Sequence, residues 1–109
     1  MSRSGSKRPA RIVWSERALS DLHEIDEYIA ADNPIAAERW VATLIAATER
    51  AAAAPLAGRI VPERRIPMLR EVFVRAYRVV YRVREGVVEI VTIFEGHRLL
   101  PRDVNDANK

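Results

Sequence analysis

Residues 77–98 read YRVVYRVREGVVEIVTIFEGHR, and this stretch decides the fold. β-branched and aromatic residues dominate on both sides of Glu85 and Gly86, and a glycine at such a point accepts the positive φ that a tight two-residue turn requires. The stretch therefore reads as an antiparallel hairpin, Tyr77 to Arg84 against Val87 to Phe94. A two-residue turn also sets the register, placing Arg84 opposite Val87, Arg82 opposite Glu89, Tyr81 opposite Ile90 and Tyr77 opposite Phe94. Side chains alternate along a strand, so Tyr77, Val79, Tyr81, Val83, Val88, Ile90, Thr92 and Phe94 share a face apolar enough to receive a layer of helices. The other face carries Arg78, Arg82, Arg84 and Glu89 around a strip of Val80, Val91 and Ile93. An apolar strip rimmed by arginine is a poor solvent surface and a good groove for a partner. Nothing else in the chain is left to cover it, unless the tail after Phe94 folds across.

Upstream, Leu69 to Val74 is a third β-rich run, which makes the C-terminal third a three-stranded meander. Before it, LAGRIVPERRIPM (residues 56–68) is broken by Gly58, Pro62 and Pro67 but keeps its own apolar anchors, Leu56, Ile60, Val61 and Ile66, so it reads as an ordered loop. Two helices precede the loop. Ser15 is an N-cap for the first, whose stripe is Ala18, Leu22, Ile25 and Ile29, widened by Leu19, with an acidic outer face. Asp32, Asn33 and Pro34 interrupt it, and Asn33 before a proline at the first helical position restarts a second helix. That helix has the stripe Ala37, Trp40, Leu44, Ala47 and Ala51, is alanine-rich through Ala54, and stops at Pro55. A connection this short implies an antiparallel helix hairpin. With a short strand at Arg11 to Trp14 in front, the expectation is an α+β fold in the order β-α-α-β-β-β: a short N-terminal strand and an antiparallel two-helix hairpin packed on a C-terminal antiparallel meander. Residues 1–10 read as a disordered leader, 11–100 as a single domain and 101–109 as a C-terminal tail.

Composition narrows the function. Of 109 residues 49% are apolar and 30% charged, the balance of a globular domain, and no apolar run approaches the roughly 20 residues a bilayer demands. The absence of cysteine excludes disulfides and thiolate zinc sites, and His23 and His97 with four scattered glycines make neither a metal cluster nor a phosphate cradle, so no cofactor is expected. Charge is segregated. From Glu16 to Glu49 eight acids face two bases, whereas from Arg59 to Arg84 eight arginines (59, 64, 65, 70, 75, 78, 82 and 84) face only Glu63 and Glu71. A lysine-free arginine field favours bidentate recognition of carboxylate or phosphate.

The order of these elements and five local strings resemble the ParE/RelE superfamily of type II toxins: IVWSERALSDLHEIDEYIA, DNPIAAERW, AAPLAGR, YRVVYRV and IFEGHR, together spanning about Arg11 to Arg98. The resemblance implies a bacterial cytoplasmic protein in a hetero-oligomer with a ParD-like antitoxin, whose C-terminal segment wraps the toxin. An acidic, amphipathic segment of this kind would fit an arginine-rimmed groove, for which Arg78, Val80, Arg82, Val91 and Ile93 are the expected antitoxin contacts, with Trp40 added if it points outward.

Two mechanisms divide the superfamily. The ParE-like branch binds DNA gyrase and stabilises its cleaved DNA complex without itself being an enzyme, and the long helix hairpin, the DNP interruption and the alanine-rich second helix are similar to that branch. The RelE-like branch cuts mRNA on the ribosome, where a base activates the ribose 2′-hydroxyl, an acid protonates the leaving oxygen and cations stabilise the transition state. Candidates for those roles are Glu63 or Glu71 as base, His97 as acid, and Arg65, Arg70, Arg78 and Arg98 as phosphate clamp. Each has a plainer reading: Glu71 pairs with a strand neighbour, His97 sits solvated at a strand end, and His23 lies among surface acids. No lysine occurs between Arg11 and Arg102, so a lysine-based acid–base set is excluded. A non-catalytic RNA-binding module is the third possibility, weakened because aromatics are 6% of residues and none lies in the arginine loop to stack on bases.

Overall fold

A computed structural model describes residues 8–104. The chain runs through β1 (Arg11–Trp14), α1 (Glu16–Asp32), α2 (Pro34–Ala53), a 3-10 turn (Pro55–Ala57), β2 (Arg59–Ile60), β3 (Leu69–Val74), β4 (Tyr77–Arg84) and β5 (Val87–Glu95). The expected α+β order is present, with the two-residue edge strand β2 added inside the proline-rich loop. The sheet order is β1-β5-β4-β3-β2. The meander β3-β4-β5 and the edge strand β2 are antiparallel, while β1 lies parallel to β5, so the sheet is mixed. The leader assignment falls mostly outside the described residues; within them, Ala10 is tied in by its N–H donating to Ala52 carbonyl at 2.8 Å.

The helices start and stop where local chemistry dictates. Ser15 caps α1 by accepting from Ala18 N–H at 2.9 Å. Asn33 serves two helices: its N–H donates to Ile29 carbonyl at the end of α1, and its Oδ1 accepts from Ala36 N–H at 3.0 Å at the start of α2. The α2 stripe Ala37, Trp40, Leu44, Ala47 and Ala51 is buried. Trp40 thus points inward, packing edge to face on Tyr77 with ring centroids 5.4 Å apart. The first stripe is half in water: Ala18 is buried, Leu22, Ile25 and Ile29 are partly buried against the core, and Leu19 is 51% exposed, outside the stripe it was expected to widen.

Register departs from expectation at one place. From the turn at Glu85 and Gly86 the pairs Arg84 with Val87, Arg82 with Glu89 and Tyr81 with Ile90 are as expected, but the ladder then shifts between Val80 and Tyr81, so Val80 faces Thr92, Val79 faces Ile93 and Tyr77 faces Glu95. Val91 is the extra residue of a β-bulge. The bulge exchanges two faces: Ile93 joins the helix-side core with Trp40, Leu44, Tyr81 and Ile90, and Phe94 moves to the opposite face. The pairing of Tyr77 with Phe94 and the placing of Ile93 on the outer face are corrected accordingly. The cause is α1. β1 ends at Trp14, leaving the edge of β5 beyond Ile90 without a strand partner, and α1 supplies one. Ser15 Oγ donates to Val91 carbonyl at 2.8 Å, and the Asp21 carboxylate accepts from Ile93 N–H at 3.0 Å and from Thr92 Oγ1 at 2.6 Å.

The second sheet face is covered, contrary to the expectation of an open groove. Val61 from the loop and Leu100 and Val104 from the tail close over Leu69, Val80 and Val91, with Ile66 and Phe94 at the margin. Val80 is 0% and Val91 8% exposed. Apolar residues that the strand pattern presents as a partner groove are thus the second core of the isolated chain.

Candidate functional site

The arginine field has folded around carboxylates. At the centre of the second face lies Arg78, 4% exposed, beside Glu71, 1% exposed. Arg78 Nε donates to Glu71 Oε1 at 2.8 Å and Nη2 to the same oxygen at 2.5 Å. Nη1 and Nη2 make a fork onto Glu63 Oε2 and Oε1, both at 2.8 Å, and Nη1 also donates to Arg98 carbonyl at 2.9 Å. A guanidinium has five N–H donors, and all five are used. The ring of Phe94 stacks beneath, 4.8 Å from the Arg78 guanidinium carbon. Arg59, opposite Glu71 across the β2–β3 ladder, binds the other Glu71 oxygen through Nε and Nη2.

This cluster shapes its own electrostatics. The hydrogen bonds from Arg78 hold the Glu63 carboxyl down to about 2 against its usual 4.5, outweighing the opposing effect of burial. The same contacts raise Arg78 above the ordinary arginine range. Glu63 Oε2 also accepts from Leu100 N–H at 2.8 Å, so the cluster anchors the tail. Arg64 Nη2 reaches the carbonyls of Pro101 and Val104 at 3.3 and 3.4 Å, and Arg17 pairs with Asp103 at 2.8 Å, drawing the exposed Asp103 carboxyl below its usual value.

The remaining sequence candidates scatter. Arg70 is spent on main-chain carbonyls, those of Pro67, Leu56 and Gly58, at 2.7 to 3.0 Å. Arg65 is exposed, with φ 58° in the left-handed region. His97, with its side chain 77% exposed, lies 3.9 Å from Glu95 Oε1, and Arg98 Nε meets the same Glu95 oxygen at 3.3 Å. His23 pairs with Glu27 at 3.2 Å on the solvent side of α1. Arg82 and Arg84 both reach Glu89 Oε1, at 3.5 and 3.2 Å. Of the five expected antitoxin contacts, Arg78, Val80 and Val91 lie together under the tail, Arg82 lies on the ladder beside Glu89, and Ile93 belongs to the other core. Arg59 had no role beyond the arginine run; its position two ladder steps from the start of β3, opposite a strand glutamate, is a signal that needs the register of β2 to be known first. No group of three or more metal-ligating side chains occurs among the described residues. No described helix is long and apolar enough to cross a membrane.

A family model described as the ParE toxin of type II toxin-antitoxin system, parDE, matches residues 12–100. Toxin RelE2 of Caulobacter vibrioides is 40% identical over 91 residues, covering 83% of this chain and 99% of that protein. Among solved structures, the chromosomal ParDE TA system from P. aeruginosa superposes with a TM-score of 0.65 at 19% identity, over 79% of this chain and 95% of the other. A mutant of E. coli toxin RelE in the free state superposes with a TM-score of 0.55 at 19% identity, over 83% and 86% of the two chains. The two structures speak for the fold, the family model and the Caulobacter relative for descent. The chain belongs to the ParE toxins of type II toxin–antitoxin systems, within the ParE/RelE superfamily.

Proposed function

We propose that this toxin is a ParE-like inhibitor of DNA gyrase that acts by binding and not by catalysis, and that a ParD-like antitoxin neutralises it. The observation that carries this reading is the saturation of Arg78. A nuclease needs a cation free to meet phosphate and a base free to take a proton. Here the central arginine has no donor left, both neighbouring glutamates are engaged with arginine, and the His97 side chain stands 77% exposed on a turn.

The antitoxin reading follows from the second core. Leu100 and Val104 cover Val80 and Val91, and an amphipathic acidic segment offers the same apolar burial together with carboxylates for Arg17 and Arg64, which the tail now engages. The antitoxin segment takes the place of residues 99–104 over that face.

Similarity to Toxin RelE2 supports a second reading, a ribosome-dependent mRNA endonuclease in which His97, Arg65 and Arg98 act from the exposed side. Brief expression of the chain without antitoxin separates the two. The gyrase reading expects gyrase-linked DNA breaks with intact messages, and unchanged growth arrest for the His97→Ala, Arg98→Ala double variant. Codon-phased mRNA cuts without DNA breaks, abolished in that double variant, would sink it.

A further inference from the structure

We propose that the cleft at the tip of the helix hairpin, where Arg39 and Arg75 flank Trp40, is a docking site for an acidic partner segment carrying a carboxylate next to a bulky apolar side chain. The cleft, of about 540 Å³, opens between the start of α2 and the β3–β4 turn. Ile29, Ile35, Trp40 and Tyr77 supply its apolar wall, and Arg39 and Arg75 are its charged residues. No carboxylate among the described residues lines it.

Three observations support this assignment. First, the arginines on the sheet faces are neutralised or bound to carbonyls, as Arg59, Arg70, Arg78, Arg82 and Arg84 show, whereas the exposed guanidiniums of Arg39 and Arg75 meet no acceptor among the described residues. Two unneutralised cations beside an apolar wall are complementary to an anion with an apolar body. Second, Arg75 holds φ 55°, a left-handed conformation that glycine adopts without steric cost, so the turn keeps a guanidinium where backbone preference favours its loss. Third, the surface is unfinished. Ile35 is 62% exposed at the rim, and the indole N–H of Trp40, in the wall, is buried without a hydrogen-bond partner among the described residues.

The site is separate from the tail-covered face, and its test does not depend on the gyrase or antitoxin readings. The probe is a hexapeptide, SELFES, acetylated and amidated, with SQLFQS as its uncharged counterpart, titrated onto the full chain. Tryptophan occurs only at positions 14 and 40, so the Trp40 indole N–H resonance, identified with a Trp14→Phe variant, reports the site directly. SELFES is expected to shift that resonance saturably and more weakly in high salt, with SQLFQS binding at least about tenfold less tightly. Arg39→Gln and Arg75→Gly are each expected to weaken SELFES about tenfold. Because glycine suits φ 55°, Arg75→Gly should keep or raise the thermal midpoint, so its loss of binding is not unfolding. Equal affinity for both peptides, an unmoved Trp40 resonance, or full affinity in Arg75→Gly would each overturn the proposal.

Discussion

Arg78 and Glu71, both buried on the sheet face away from the helices, share two hydrogen bonds onto one carboxylate oxygen, and the rest of the guanidinium is clasped by Glu63 and the Arg98 carbonyl. Breaking such a pair from one side strands charge in a dry place, which costs more than the pair itself contributes. Arg78→Met should therefore lower the unfolding free energy by about 3–5 kcal/mol, measured by urea denaturation. Adding Glu71→Leu should recover part of that loss. A single-variant loss below about 1 kcal/mol would mean the cluster is hydrated and the burial argument wrong.

Glu63 gives the fold a pH dependence with a definite sign. Its folded pKa, about 2, lies below the ordinary 4.5, so its contribution is complete above 4.5 and is lost as pH falls through that interval towards 2. Unfolding free energy should decline over that window, and Glu63→Gln should flatten the slope. Equal slopes in the two proteins would remove Glu63 as the cause.

The tail makes a prediction about partner binding. If the antitoxin segment replaces residues 99–104, the apolar contacts of Leu100 and Val104 oppose its binding. Leu100→Ala with Val104→Ala should then tighten antitoxin binding by about tenfold, the equivalent of roughly 1.4 kcal/mol of tail docking, as read by calorimetry. An unchanged dissociation constant would place the antitoxin elsewhere.

Gly58 is fixed by space and not by backbone angle. A Cβ there would collide with the Tyr81 hydroxyl, which is held by Pro55 carbonyl at 2.8 Å, and would lie 3.0 Å from the Glu71 carbonyl. Gly58→Ala should cost about 1–3 kcal/mol. Combining it with Tyr81→Phe, which removes the colliding oxygen, should cost less than the two single changes added together; simple additivity in a thermal unfolding cycle would contradict the contact.

Much of the fold was legible because its signals are local. Ser15 and Asn33 mark helix starts by side-chain chemistry within three residues, Glu85 and Gly86 fix a two-residue turn, and the α2 stripe follows from helical period alone. The candidate site was legible only as a list of names. Its arginines and glutamates were singled out, but whether Arg78 offers its donors to a ligand or to Glu63 depends on chain segments 15 residues apart meeting in space.

The sequence by itself determined the main elements, their order, the α2 stripe of the helix-side core and the family. Tertiary structure alone decided two things: where the β4–β5 ladder slips and which arginines remain open. The slip rests on Ser15 and Asp21, more than seventy residues upstream, binding the edge of β5 around Val91. Charge neutralisation likewise depends on distance in space, so eight arginines in one run become a mostly internal network in which Arg65 and Arg75 stay exposed, and Arg75 meets Arg39, far away in sequence, only across the fold. Period and propensity act over a few residues; hydrogen bonding and Coulomb attraction act between whatever the folded chain brings together.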